Sequence, residues 1–175
     1  MIDKRISAMN NQTDQSAFLS VIEKNKGIIY KISRSYCKDQ DDRKDLYQEI
    51  VIQLWKSFGN YNDQYKFSTW MYRIALNVAI SFYRKGKNRN SSPITENIID
   101  LIAEEEPGEL EENIRLLYLF INELDELNKA LMLLYLDDNS YREMADVLGI
   151  SESNVATKIG RIKEKLKLKF SFSNE

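Results

Sequence analysis

Three groups of side chains in this 175-residue sequence have types and spacings suited to chemistry. In the first, Gln48, Glu49 and Ile52 follow Asp45 at intervals of three, four and seven. Those intervals gather the side chains on one helical face. Carboxylates and an amide beside exposed apolar groups suit docking on a basic partner helix. The second group interleaves Tyr61, Tyr65, Phe67, Trp70, Tyr72, Phe82 and Tyr83 with Lys66, Arg73, Arg84, Lys85, Lys87 and Arg89. Aromatic faces stack on unpaired bases and cations follow the phosphates, which is the chemistry of single-strand capture. Arg73, Asn77, Ile80 and Arg84 share a helical face that could follow DNA. Trp70 is spaced with Ile74 and Val78 as a core residue, so Asn77 and the loop from Asn62 to Phe67 are better placed to hold bases. In the third group, Ser153, Asn154, Thr157, Lys158 and Arg161 lie opposite an apolar stripe of Val155, Ile159, Ile162 and Leu166. Short polar side chains at a helix start reach base edges in the major groove, and cations hold phosphates. Lys163, Lys165, Lys167 and Lys169 extend that basic character, with only Glu164 opposing them.

Enzyme chemistry has little to work with. There is no histidine, so no Ser-His-Asp or Cys-His arrangement and no His-containing zinc site can form. Glycine totals six and no Gly-rich phosphate loop appears. Asp41, Asp42, Asp45 and Glu49 have helical spacings suited to a surface, with no second cluster to complete a magnesium-dependent nuclease. No catalytic residue, metal or cofactor is expected. The single cysteine, Cys37, cannot form an internal disulfide and reads as packing, which suits a reducing compartment. No apolar run approaches membrane-spanning length and the first residues lack a secretory signal, so the cytoplasm is the expected location.

The net charge of −2 averages unlike segments. Residues 1–90 carry 16 basic and 9 acidic side chains, residues 91–137 carry 2 and 12, and residues 138–175 carry 7 and 6. A basic block and a near-neutral one flank an acidic middle, so local patches would meet a polyanion.

Apolar periodicity is helical nearly throughout, and no alternating strand pattern stands out. Phe18, Ile22, Ile29, Ile32 and Tyr36 line a first helix, with Gly27 inside it. Leu46, Ile50 and Leu54 line a second, which ends near Gly59. A third is predicted from about Ser68 to Arg84, with Ser68 or Thr69 as N-cap, Gly86 as stop, and Trp70, Ile74, Val78 and Phe82 inward. Residues 88–112 hold both prolines and the run Glu104-Glu105-Glu106, a linker composition. Helical pattern resumes through Leu110, Ile114, Leu117, Ile121 and Leu124. A short helix follows from about Asn128 to Leu136, and then two more separated by Gly149. Ser140 with Glu143 forms a candidate capping box, and Ser151 is a candidate N-cap. The segment Tyr141 to Ser151 reads as the first helix and turn of a helix-turn-helix, with Ala145 allowing close helix approach. Met144, Leu148, Ile150 and Val155 would close its core. The expected fold is all-α, with two small helical domains, residues 1–87 and 113–175, joined by an acidic linker at residues 88–112.

Two stretches carry a family resemblance. Asp45-Leu46-Tyr47-Gln48-Glu49, followed by Leu54-Trp55, resembles the region 2 helix of sigma-70 factors. Tyr65-Lys66-Phe67-Ser68-Thr69-Trp70-Met71-Tyr72-Arg73-Ile74-Ala75, with Asn77 and Arg84 beyond it, resembles that family's promoter-melting segment. The likeness spans about Ala17 to Leu168, in the order region 2, linker, region 4, and leaves no room for further regions. That points to the extracytoplasmic-function branch. The resemblance implies a non-catalytic initiation factor that joins core RNA polymerase through the β′ clamp helices and the β subunit. By the same carry-over, Asp45, Gln48, Glu49, Ile52 and Trp55 dock on polymerase. Tyr65, Lys66, Phe67, Thr69, Arg73, Asn77 and Arg84 engage the −10 element of promoter DNA. Ser153, Asn154, Thr157, Lys158 and Arg161 engage the −35 element. The acidic linker would lie along polymerase channels normally occupied by nucleic acid. An anti-sigma partner, in this branch often membrane-bound, is also implied. Where many relatives place an arginine pair in the recognition helix, this chain has Ala156-Thr157-Lys158, so the −35 sequence is not readable. The alternative is a regulator that uses the helix-turn-helix without polymerase, which would leave the first two groups without a purpose.

Overall fold

The computed structural model describes residues 2–62, 64–87 and 109–172. These form seven α-helices and no strand, so the chain is all-α. The helices are α1 (Ile2–Tyr36), α2 (Gln40–Phe58), α3 (Phe67–Lys87), α4 (Glu109–Glu123), α5 (Glu126–Leu136), α6 (Tyr141–Leu148) and α7 (Glu152–Phe172). Residues 88–108, most of the expected linker, lie outside the described residues, and α4 begins at Glu109 within the segment assigned to it.

Local chemistry sets several boundaries. The Asp39 carboxylate accepts from the backbone N–H of Asp41 at 2.8 Å and of Asp42 at 3.2 Å, starting α2. Asp125 caps α5 by accepting from the Asn128 N–H at 2.9 Å. The capping box at α6 is complete: the Glu143 N–H reaches Ser140 Oγ at 3.2 Å, and the Ser140 N–H reaches Glu143 Oε2 at 2.9 Å. Gly149 ends α6 in the left-handed region at φ 67°, its N–H donating to the Ala145 carbonyl at 2.8 Å. Ser151 Oγ then accepts from the Asn154 N–H at 3.2 Å and starts α7.

The first three helices pack on one another, and α5, α6 and α7 build the helix-turn-helix unit. The two units are not separate. Helix α3 packs against α5 and α6, α1 packs against α4, and a single apolar core runs through all seven helices. Helix α5 is the most enclosed, with six consecutive buried residues from Lys129 to Leu134.

Helix α3 departs from expectation in three respects. It starts at Phe67 and continues through Gly86 to Lys87, so neither the Ser68 or Thr69 N-cap nor the Gly86 stop is realised. Its most buried residues are Met71, Tyr72, Ala75, Leu76 and Ala79, whereas Trp70, Ile74, Val78 and Phe82 are only half-buried. The reason is double packing: α1 and α2 cover one side and α5 and α6 another, which moves the core face off the expected stripe. Small Ala75 and Ala79 at the tightest positions fit this crowding.

Two glycines should respond oppositely to alanine. Gly149→Ala forces a Cβ into left-handed backbone and should destabilise the fold by about 1 kcal/mol. A Cβ at Gly160, in mid α7, would meet open space, so Gly160→Ala should stabilise it by about 1 kcal/mol. Thermal melts of the two variants should therefore move in opposite directions.

Candidate nucleic-acid interface

The first predicted group assembles on α2. Asp45, Gln48 and Ile52 are exposed, and the half-buried Glu49 accepts from Gln53 Nε2 at 2.8 Å. Ile52 and Trp55 are exposed large apolar residues, although the Trp55 ring also stands edge-on to Phe18 of α1 at 5.0 Å. A groove of about 840 Å³ separates α2 from α3. Its walls include Asp45, Gln48, Glu49 and Ile52 on one side and Ile74, Asn77, Val78 and Phe82 on the other. Asn77, expected with the base-capturing group, thus sits across from the carboxylates. Gln53, Ser57, Ser81 and Lys85 complete the walls; of these only Lys85 was named from the sequence, among the cations of the aromatic–basic group.

The second group divides. Tyr61, Phe67 and Trp70 form an aromatic cluster, with ring centroids 5.1–5.3 Å apart. The Tyr61 hydroxyl donates to the Tyr65 carbonyl at 3.0 Å, which braces the loop before α3 and leaves the Tyr65 side chain exposed. Arg73, Asn77 and Arg84 are exposed, and Phe67 is half-buried in the cluster. Thr69 is 5% exposed, so its side chain is enclosed by packing and is not presented to DNA. Tyr72 is likewise buried, and its hydroxyl has no protein partner. The double coverage of α3 accounts for both corrections.

Lys66 has an unexpected partner. Its ammonium donates to Glu143 Oε1 at 2.8 Å, linking the loop before α3 to the capping residue of α6. Arg84 Nε lies 3.9 Å from Glu126 of α5. Two cations assigned to the −10 element therefore face carboxylates of the helix-turn-helix unit.

The third group lies on α7 as expected, with one adjustment. Ser153, Asn154, Thr157 and Arg161 are exposed and Lys158 is half-buried. Ser153 Oγ lies 3.1 Å from Ser151 Oγ, and Thr157 Oγ1 donates to the Ser153 carbonyl at 2.9 Å. The Thr157 hydroxyl proton is thus committed locally, leaving its methyl and an oxygen lone pair for a partner. Val155, Ile159 and Ile162 are buried beneath this face. Lys163 stacks on the Tyr135 ring at 4.2 Å and so belongs to the support of α7, whereas it was expected in the basic extension.

Among the described residues no cluster of three or more acidic or cysteine side chains is arranged to hold a metal, and no helix is long and apolar enough to cross a membrane. Cys37 is buried, and burial pushes its thiol up to about 12.

Residues 21–89 match the sigma-70 region 2 model and residues 114–166 match the sigma-70 region 4 model. The RNA polymerase sigma factor SigZ of Bacillus subtilis is 30% identical, over 74% of this chain and 73% of its own. The chain belongs to the sigma-70 family, in its extracytoplasmic-function branch. The ECF RNA polymerase sigma factor SigW of the same organism is 27% identical over 95% of both chains. The sigma factor RpoE of Bartonella quintana, solved with the anti-sigma factor NepR, shares the fold with a TM-score of 0.66. That match covers 89% of this chain and 97% of RpoE at 15% identity.

The Lys66 link has a titration consequence. Lys66 first, then the Ser140 N–H and hydroxyl, hold the Glu143 carboxyl down at about 2. A lowered carboxyl pKa gives stability that is complete above the ordinary value near 4.5 and lost as pH falls towards 2. Acid unfolding followed by circular dichroism should show a limb in that window, and Glu143→Gln should flatten it.

Proposed function

We propose that the α2–α3 groove docks this sigma factor on core RNA polymerase, that the loop before α3 captures the opened −10 element, and that α7 reads the −35 element. The observation that carries this reading is the pairing, in one chain, of a helix-turn-helix with a carboxylate-lined groove and a braced aromatic–basic loop. Asp45, Gln48, Glu49 and Ile52 present charge and apolar surface to the basic β′ clamp helices, with Trp55 at the edge of that surface. Tyr65, Phe67 and Asn77 hold bases, and Lys66, Arg73 and Arg84 neutralise the strand. Ser153, Asn154, Thr157 and Arg161 approach base edges in the major groove, and Lys158 supports them from the phosphate side. The factor needs no cofactor or catalytic residue, because melting draws on binding energy alone. It works in the cytoplasm with core polymerase and promoter DNA. An anti-sigma protein, the kind of partner bound to the structural neighbour, holds it in reserve.

Co-purification with core polymerase, followed by promoter opening on the complex, tests the whole reading. Stoichiometric binding with melting is expected. Tight duplex binding without polymerase would instead support the free-standing regulator. Asp45→Lys with Glu49→Lys should weaken polymerase binding by about 100-fold or more, since reversed charges at a docked surface cost several kcal/mol. Asn77→Ala should slow promoter opening more than it weakens polymerase association; equal losses would assign Asn77 to docking. Arg161→Ala should cost about 1–3 kcal/mol on promoters with a −35 element. Unchanged promoter affinity would remove α7 from base reading.

A further inference from the structure

Tyr61 stands where the end of α2 gives way to the loop before α3, and its parts make contacts in three directions. Its N–H donates to the Phe58 carbonyl at 3.1 Å, which ties it to the last turn of α2. Its half-buried ring meets Phe67 edge to face at 5.2 Å and Trp70 at 5.3 Å, both in the first turn of α3. Its hydroxyl crosses the loop and donates to the Tyr65 carbonyl at 3.0 Å. The chain then joins α3 at Lys66, whose carbonyl accepts from the Trp70 N–H at 3.1 Å. One side chain is therefore anchored on two helices and holds the peptide group that links Tyr65 to Lys66, two residues whose side chains are exposed.

We propose that Tyr61 is a positioning residue for strand capture: its hydroxyl sets the Tyr65 peptide and its ring sets Phe67, before DNA arrives. The proposal rests on the −10 role given above to Tyr65 and Phe67. A loop peptide without a tether is spread over several conformations, and a strand that needs one of them binds more weakly in proportion to its population. The ring and the hydroxyl divide the work. The ring supplies aromatic packing against Phe67 and Trp70, which supports the fold. The hydroxyl bond is exposed and is made at the expense of a bond to water, so its net gain is small. It adds little to overall stability, yet it selects among conformers of the loop. Phenylalanine would pack the same cluster and leave the Tyr65 carbonyl untethered.

The test compares Tyr61→Phe with Tyr61→Ala in the full-length chain. Tyr61→Phe should melt within about 2 °C of the wild type and bind core polymerase equally well. Nitrogen relaxation on the free chain should show the Tyr65 and Lys66 amides loosening, from order parameters near 0.85 towards about 0.6. The probe for the holoenzyme is a single-stranded oligonucleotide carrying the non-template −10 strand of a promoter that the wild type opens. Tyr61→Phe should bind it about threefold more weakly and open the promoter correspondingly more slowly. Tyr61→Ala should melt several degrees lower and bind the strand about tenfold more weakly or worse. Phenylalanine thus restores the melt without restoring the affinity, a split that a purely structural role would not give.

A second background shows which side chain carries the effect. Tyr65→Ala should itself weaken strand binding about tenfold, as loss of a stacking ring does. Adding Tyr61→Phe to it should cost less than about 1.5-fold more, because the ring being positioned is gone. A full threefold loss in that background would overturn the proposal, as would amide dynamics or strand affinity that Tyr61→Phe leaves unchanged while Tyr65→Ala weakens binding. Loosened amides in Tyr61→Phe, beside a Tyr65→Ala variant that binds the strand normally, would uphold the tether and overturn the −10 role on which the proposal rests.

Discussion

Helix α5 cannot be solvated on any long side, and the rest of the structure is arranged to satisfy that constraint. From Lys129 to Leu134 every residue is buried, a pattern possible only when neighbours surround a helix completely. Helices α4, α6 and α7 cover part of it, and α3 of the other unit covers the remainder. Where α3 and α1 meet it, the sequence places a lysine among apolar residues. Its stem packs as hydrocarbon while its ammonium finds a carbonyl and two rings.

Three proposed recognition surfaces surround this centre, and each is stiffened by contacts that involve no partner. The groove is walled by two helices pinned to α1. The loop before α3 is braced by an aromatic cluster and by the Tyr61 hydroxyl. Helix α7 starts from a capped turn and rests on Val155, Ile159 and Ile162. Side chains held this way lose little further freedom on binding, so more of their contact energy remains available for selectivity.

The helix-turn-helix was the most legible part of the sequence, because its signals are local. Ser140, Glu143, Gly149 and Ser151 each act within four residues of their own position, and all four do in the fold what their types suggest. The faces of α1 and α2 were readable for a similar reason: each packs mainly on one side, so a single stripe records it. Helix α3 was misread because two partners cover it from different directions, and the stripe through Ile74, Val78 and Phe82 described only the groove side. Thr69 shows the cost, since a residue placed among the DNA contacts by motif is enclosed by packing. The polar contact of Lys129 with α1 and α3 was missed altogether. Its one sequence signal was a lone lysine beside the longest apolar run, and its partners lie about 50 to 95 residues away in the chain.

Cys37 gives the molecule a practical property. Its thiol is buried, and that burial pushes it up to about 12, so at neutral pH almost none is present as the reactive thiolate. The chain has no other cysteine. Any cysteine introduced on the surface would react with maleimide probes far faster than the native one. The protein is thus already prepared for single-site spectroscopic labelling, with its natural core left intact.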